Sequence, residues 1–222
     1  MIGDDKVLIW TSAEVDNGDV PAGQLPHVSE ILAWARRYLV SSHPDLGRSG
    51  PVCPYTQPSL NKGLFHLAAL NDTGGLVDVH QAVEALRSWY EKLSSQLSTS
   101  DRGLLTILLA LPHLDRLSSA ALDAIQRRAK DRFVAEGVMI GQFHPACAQP
   151  GLWNPDFPAL RAPVPLLAVR KLVVFDLPFL MDTTVHADSY FRRFAPDIPP
   201  RVRDLLVKRV AGKAGNLTSL SL

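Results

Sequence analysis

The sequence has little cysteine, little excess charge of either sign and no long apolar run. Its 222 residues include two cysteines, Cys53 and Cys147, and the formal net charge is +1. A charge this small gives no electrostatic footprint for nucleic acid. The longest apolar run, residues 104–112, is interrupted by Thr106 and falls far below the roughly 20 residues that cross a bilayer. The N-terminus opens acidic and does not resemble a signal peptide. We therefore expect a cytoplasmic protein with two free thiols and with neither a membrane nor a nucleic acid as partner.

The common catalytic signatures are also absent. The sequence contains no GxGxxG after the first predicted strand, no P-loop, no GxSxG elbow and no HExxH. What remains is a set of histidines, the two cysteines and two proline-rich loops. The first loop is SHPDLGRSGPVCPYTQPSL (residues 42–60), and its four prolines exclude both helix and strand. The second is GQFHPACAQPGLWNP (residues 141–155), which contains a histidine and a cysteine.

Hydrophobic periodicity predicts an α/β (α+β) fold with a single domain over residues 26–213. A first helix over residues 28–39 precedes elements in the order β-α-β-α-β-β, and two short helices follow. This order predicts a mixed sheet of about four strands with helices packed on it. The predicted strands are residues 63–70, 104–111, 138–144 and 165–175. Residues 1–25 are expected to form an N-terminal arm in which KVLIW is a candidate short strand, and residues 214–222 a flexible tail.

His144 is the first candidate for chemistry. It follows a predicted buried strand directly, and Pro145 ends that strand. The imidazole would then be fixed at a sheet edge and face a loop-lined cavity, a placement that suits a metal ligand or a general base. The alternative is a half-buried structural histidine bonded to a backbone carbonyl.

The cysteines support two further hypotheses. Cys147 lies three residues after His144, and this spacing suits a zinc ion completed by Cys53 and another histidine. Alternatively, Cys53 and His144 form a thiolate pair for nucleophilic catalysis. The structural alternative for Cys53, which lies between Val52 and Pro54, is a small buried hydrophobic residue.

Two arginines and one further histidine are candidates for ligand binding. Arg161 follows the second loop and Arg170 lies on the fourth predicted strand, and either guanidinium can bind a carboxylate bidentately. If Arg170 points into the core it needs an acidic partner, which a ligand carboxylate would supply. The alternative for both is a solvated arginine. His43 enters the first loop, where it can contact a ligand. The basic segment 192–213 is expected to be a solvated helix face rather than an RNA contact.

Two blocks of the sequence resemble a known family. GPVCPYTQPSLNKGLFHLAAL (residues 50–70) resembles the Pro-Cys element and first strand of the YqcI/YcgG family, whose members include the pre-guanitoxin N-hydroxylases. MIGQFHPACAQPGLWNPDFPALRAPVPLLAVRKLVVFD (residues 139–176) is similar to that family's strand with a His-Pro end, Arg-containing excursion and returning strand. The HPDLGRxGPVCP and FHPxC motifs are also similar to a family of actinobacterial-type proteins over about residues 29–180.

The YqcI/YcgG resemblance implies a haem-dependent oxygenase that transfers oxygen to the nitrogen of a small metabolite in specialised metabolism, with a redox partner. It implies His144 as the proximal iron ligand, Cys53 as a wall of the haem pocket and Arg161 as the partner of a propionate. Haem also needs an apolar slot and cations for its two carboxylates. Beside Arg161, the residues expected to supply these are Phe143, Leu152, Trp153, Phe157 and Arg170. The alternatives are a non-catalytic module that binds a small ligand or a protein, and a zinc or thiol enzyme that uses Cys53, Cys147 and His144.

Overall fold

Six strands form one mixed sheet in the computed structural model, which describes residues 2–4, 7–70, 76–114 and 119–194. The strand order is β1-β2-β3-β4-β6-β5. β3 and β4 run parallel, and every other neighbouring pair is antiparallel. The predicted mixed α/β fold is confirmed, with two strands more than expected. The strands are β1 (Ile2–Asp4), β2 (Val7–Thr11), β3 (Phe65–Leu70), β4 (Thr106–Ala110), β5 (Val138–Phe143) and β6 (Leu166–Lys171).

The candidate strand KVLIW is confirmed as β2. Instead of lying in an arm, β2 pairs with β3 along its whole length, from Val7↔Leu70 to Thr11↔His66. A capping box then starts α1 (Ser12–Asn17), because the Glu14 carboxylate accepts the Thr11 N–H at 2.7 Å and Thr11 Oγ1 accepts the Glu14 N–H at 3.2 Å. After α1, a stretch that contains glycine, aspartate and proline connects the chain to α2 (Leu25–Trp34). This stretch is a connection between two helices and does not belong to an N-terminal arm.

Helices cover both faces of the sheet. α1 and α2 pack on one face, and α4 (Leu76–Ser95) and α6 (Ser119–Glu136) pack on the other. Successive strand residues point to opposite faces, so Leu108 of β4 joins the α2 side while Ile107 and Leu109 join the α4 and α6 side. This double burial explains why the residues of β4 that follow Thr106 are all apolar. The remaining α- and π-helices of the described residues are the π-helix Ala35–Leu39, α3 (Thr56–Asn61), α5 (Thr99–Arg102) and α7 (Thr184–Phe194). The expectation that the first loop contains no helix is wrong for α3, because Pro58 lies in its first turn, where a missing N–H breaks no intrahelical bond.

The C-terminal part of the chain departs from the predicted strand after β6. After β6 the chain forms a 3-10 helix (Val174–Phe179) where the predicted strand extends to residue 175. The predicted helix at 200–211 and the predicted tail lie outside the described residues. Within the described ranges, no helix is both long enough and apolar enough to span a bilayer.

Candidate functional site

The two proline-rich loops contact each other. Asn154 Nδ2 in the second loop donates a hydrogen bond to the carbonyl of Asp45 in the first at 2.8 Å. Gly47 lies so close to the second loop that a Cβ there would be 2.8 Å from the Trp153 carbonyl oxygen, and its φ is +76°. Both the left-handed backbone and this close approach favour glycine. The loops therefore meet through backbone and amide groups, not through their cysteines.

Their junction borders a cavity of about 530 Å³, which we call the aromatic cleft. The His43 and Phe157 ring centroids are 4.6 Å apart, and Tyr38 lies 6.4 Å from Phe157. Tyr38 belongs to the π-helix that continues α2, and π-helical segments frequently occur at functional sites. The aromatic cleft is lined by Trp34, Tyr38, His43, Asp45, Asn154, Asp156, Phe157, Pro158 and Arg161.

The His43 ring is oriented by its own turn. His43 caps the 3-10 helix Pro44–Leu46, and its Nδ1 accepts the Asp45 backbone N–H at 3.2 Å. Because Nδ1 is the acceptor, the neutral ring carries its proton on Nε2. Asp45 Oδ2 lies 3.8 Å from Nδ1, and the His43 side chain is 35% exposed. Neutral His43 therefore offers an Nε2–H donor that no residue in the described ranges accepts.

Two further groups in the aromatic cleft are hydrogen-bond donors. Burial raises the pKa of Tyr38, although the nearby Arg161 charge opposes this, so the phenol stays protonated at neutral pH. Its hydroxyl donates to the Ala159 carbonyl at 3.4 Å. Arg161 Nε donates to the Cys147 carbonyl at 3.3 Å, and no carboxylate in the described part of the chain forms an ion pair with this guanidinium. The two Nη groups are thus able to bind an anion.

His144 lies on the opposite face of the sheet from the aromatic cleft. It is 3% exposed, and its Nε2 is 3.3 Å from Asp123 Oδ1 on α6, while Nδ1 is buried without a partner. The preceding residue, Phe143, packs edge-on against Trp34 on the α2 side, 5.7 Å between centroids. Adjacent residues at a strand end point to opposite faces, so these two side chains cannot share one pocket wall. His144 also differs from its structural alternative, because its partner is a carboxylate rather than a backbone carbonyl.

Neither cysteine is disulfide-bonded, and they differ in burial. Cys53 packs against the core on the α2 side, and its N–H donates to the Leu39 carbonyl at 2.8 Å. Cys147 is 2% exposed, and burial raises the pKa of its thiol, which keeps the thiol protonated and weakly nucleophilic. No three His, Cys, Asp or Glu side chains in the described ranges form a group suited to a metal ion.

Arg170 has its acidic partner within the chain. Its Nη1 and Nη2 donate to the Asp176 carboxylate at 2.8 and 2.6 Å. The Asp176 side chain is 3% exposed and also accepts the Val173 N–H at 2.8 Å. The acidic partner of Arg170 is therefore Asp176, six residues later in the chain. The predicted role of Arg170 in binding a ligand carboxylate is accordingly replaced by an internal pair.

A family model described as "Domain of unknown function (DUF6875)" matches residues 28–205. The chain belongs to this family. The matched range of this DUF6875 chain contains every lining residue of the aromatic cleft, whereas β2 precedes it although it belongs to the same sheet. No curated protein and no solved structure matches the chain.

The predicted site residues of this DUF6875 chain do not converge on one slot. Arg161 and Phe157 line the aromatic cleft, whereas Trp153 and Leu152 line a second cavity along β5. His144 lines neither cavity, and its Nε2 faces Asp123. These positions do not fit a haem ligated by His144, and we derive no chemical step through haem.

Several residues of the aromatic cleft were missed by the sequence reasoning. Only His43, Phe157 and Arg161 were among its candidates. The sequence did contain a signal for two of the missed residues. Asp45 lies two residues after His43, and Tyr38 lies just before the first proline-rich loop. Asn154 could be recognised only from the contact between the two loops.

Proposed function

We propose that the chain binds a small nitrogenous metabolite that carries a carboxylate, and that it does so in the aromatic cleft. The observation that carries this proposal is the Arg161 guanidinium, which lines an aromatic cavity with no ion pair to any described residue. A ligand carboxylate would bind its two Nη groups bidentately. A cationic nitrogen on the same ligand would face the Asp45 and Asp156 carboxylates and the aromatic rings.

His43 extends this proposal from binding to proton transfer. The neutral ring presents Nε2–H for hydrogen bonding, and Asp45 Oδ2 lies 3.8 Å from Nδ1. In the imidazolium form Nδ1–H would face this carboxylate and Nε2–H could be transferred to a bound ligand, which leaves neutral imidazole; a positioned histidine is the commonest general acid or base. A binding module without catalysis would use the same contacts, and turnover of the bound ligand separates the two.

The experiment compares substitutions of two arginine residues, Arg161 inside the aromatic cleft and Arg37 outside it. L-Arginine is the probe, and agmatine, which lacks its carboxylate, is the control ligand. We expect Arg161→Ala to weaken L-arginine binding by about 2 kcal/mol, about 30-fold in Kd, and to leave agmatine binding unchanged. Arg37→Ala is the matched control, because Arg37 is also exposed with one bond to a backbone carbonyl and lies outside the aromatic cleft. Equal effects of the two variants in calorimetric titrations, or no binding to the wild type, would refute the proposal.

Haem-dependent N-oxygenation, with its redox partner, stays a prediction from the family resemblance. Its test is the visible spectrum of protein purified from haem-supplemented cells. A Soret band that is lost in His144→Ala and kept in His43→Ala would support it. A colourless wild-type protein that does not take up added haem would refute it.

A further inference from the structure

A second cavity, of about 780 Å³, lies along β5, and we call it the edge groove. β5 is the last strand of the sheet order, so one side of it has no neighbouring strand among the described residues. α6 and residues 149–153 form the other walls of the groove. Its volume falls within the range of small-molecule sites.

Two buried amide side chains border the edge groove. Gln142 on β5 is 9% exposed and lines the groove, and its amide forms no hydrogen bond with a described residue. Gln126 on α6 is 6% exposed and donates Nε2 to the Ile140 carbonyl at 2.8 Å. That bond fixes the Gln126 side chain against the strand edge. The Gln142 amide atoms are not among the fully buried unpartnered atoms of the described residues, so the amide reaches the groove and is a candidate for a bond to a ligand.

Cations outnumber carboxylates around the edge groove. Arg127 and Lys130 line it from α6, and Asp182 is the one carboxylate among its described lining residues. Lys130 Nζ donates to the Phe179 carbonyl at 2.8 Å. Arg127 is exposed and forms no ion pair in the described part of the chain. Arg127 is therefore the cation in excess at the mouth of the groove.

We propose that the edge groove is a second ligand site, and that its ligand is a purine nucleotide. The Gln142 amide offers a donor and an acceptor side by side, the pattern with which glutamine binds the edge of adenine. Apolar lining residues, Met139, Leu152 and Trp153, provide the surface that a planar base needs. Arg127 would bind the phosphate.

The test is a calorimetric titration of the full chain with AMP, with GMP and with adenosine. We expect a nucleotide to bind at least tenfold more tightly than adenosine, because the nucleoside lacks the phosphate that Arg127 binds. Gln142→Met keeps the side-chain length and removes the amide, and it should weaken nucleotide binding at least tenfold. Arg127→Ala should weaken the nucleotide and leave adenosine unchanged, while exposed Arg128→Ala, outside the groove, is the matched control.

The result is separable from the proposed function. Arg161→Ala should leave nucleotide binding unchanged, since Arg161 lines the aromatic cleft and not the edge groove. Wild-type protein that binds neither nucleotide would overturn the proposal. The proposal would also be overturned if Gln142→Met and Arg127→Ala both left the nucleotide affinity unchanged. Because Arg127 is exposed, Arg127→Ala tests the proposal even if Gln142→Met fails to fold.

Discussion

Asp176→Ala should destabilise the fold strongly, because it leaves the guanidinium of Arg170 without its carboxylate. The Asp176 side chain is 3% exposed and that of Arg170 25%. The carboxylate accepts two hydrogen bonds from Arg170 and one from the Val173 N–H. Removing one partner of a buried pair costs about 3–5 kcal/mol. Because Arg170 keeps partial contact with solvent, we expect the lower value, about 3 kcal/mol.

The chain contains its own control for burial. Arg36 and Asp16 form a bidentate pair with both N–O distances at 2.7 Å, and their side chains are 45% and 46% exposed. Asp16→Ala therefore removes the same chemistry from solvent-exposed positions. Exposed pairs contribute about 0–1 kcal/mol, so the two variants should differ by about 2–3 kcal/mol.

Urea unfolding monitored by circular dichroism measures this difference. At about 2–4 °C per kcal/mol for a chain of this size, Asp176→Ala should also lower Tm by about 6–12 °C. The double variant Arg170→Met, Asp176→Leu should recover most of the loss, since apolar residues can replace a buried pair. If Asp176→Ala and Asp16→Ala unfold within about 0.5 kcal/mol of each other, burial does not decide the strength of these pairs and the reasoning is wrong.

Three further outcomes follow from local geometry. Thiol labelling at pH 8 should be biphasic, with a slow phase that disappears in Cys147→Ala. The reason is that burial raises the pKa of Cys147, while Cys53 is only partly buried. Equal labelling rates for the two cysteines would contradict this. Gly47→Ala should lower the free energy of unfolding in urea more than Gly18→Ala does. Both glycines have a left-handed φ, but a Cβ would meet the second loop at Gly47 and nothing within 4 Å at Gly18. Equal losses of stability would argue against the loop contact. Burial lowers the pKa of His66 below 6.5, so the unfolded state binds the proton first and the free energy of unfolding should fall as pH drops through about 6.5. His66→Gln should reduce this dependence of the unfolding free energy on pH. An unchanged pH dependence would refute the prediction.

Much of the fold could be predicted because it depends on local patterns. The burial of β4 on both faces left a run that is apolar except for Thr106, and Gly137, with φ +81°, follows the end of α6. The position of β2 could not be predicted in the same way. Its partner, β3, lies more than 50 residues away along the chain, and sequence periodicity carries no information on such pairing.

The residues of the candidate site were predicted in part, and the errors in the prediction have a physical origin. His144 was correctly expected at the end of a strand. The alternation of side chains between the two faces of the sheet was not extended from the strand to His144, so the face was not predicted. Val138, Ile140 and Gln142 are buried on β5, and the same alternation places His144 on the α6 side. Arg161 was identified by its residue type, and its cavity emerged only from the contact between two distant loops.

The aromatic cleft is held by backbone geometry more than by side-chain packing. Gly151 N–H donates to the Phe157 carbonyl at 2.8 Å, and Phe157 N–H donates to the Asn154 carbonyl at 3.2 Å. Asn154 then binds the first loop through Asp45. A loop fixed in this way loses little conformational entropy when a ligand binds, which favours affinity. The prolines and glycines of the two loops therefore position the aromatic cleft, which His43, Arg161 and the aromatic rings line.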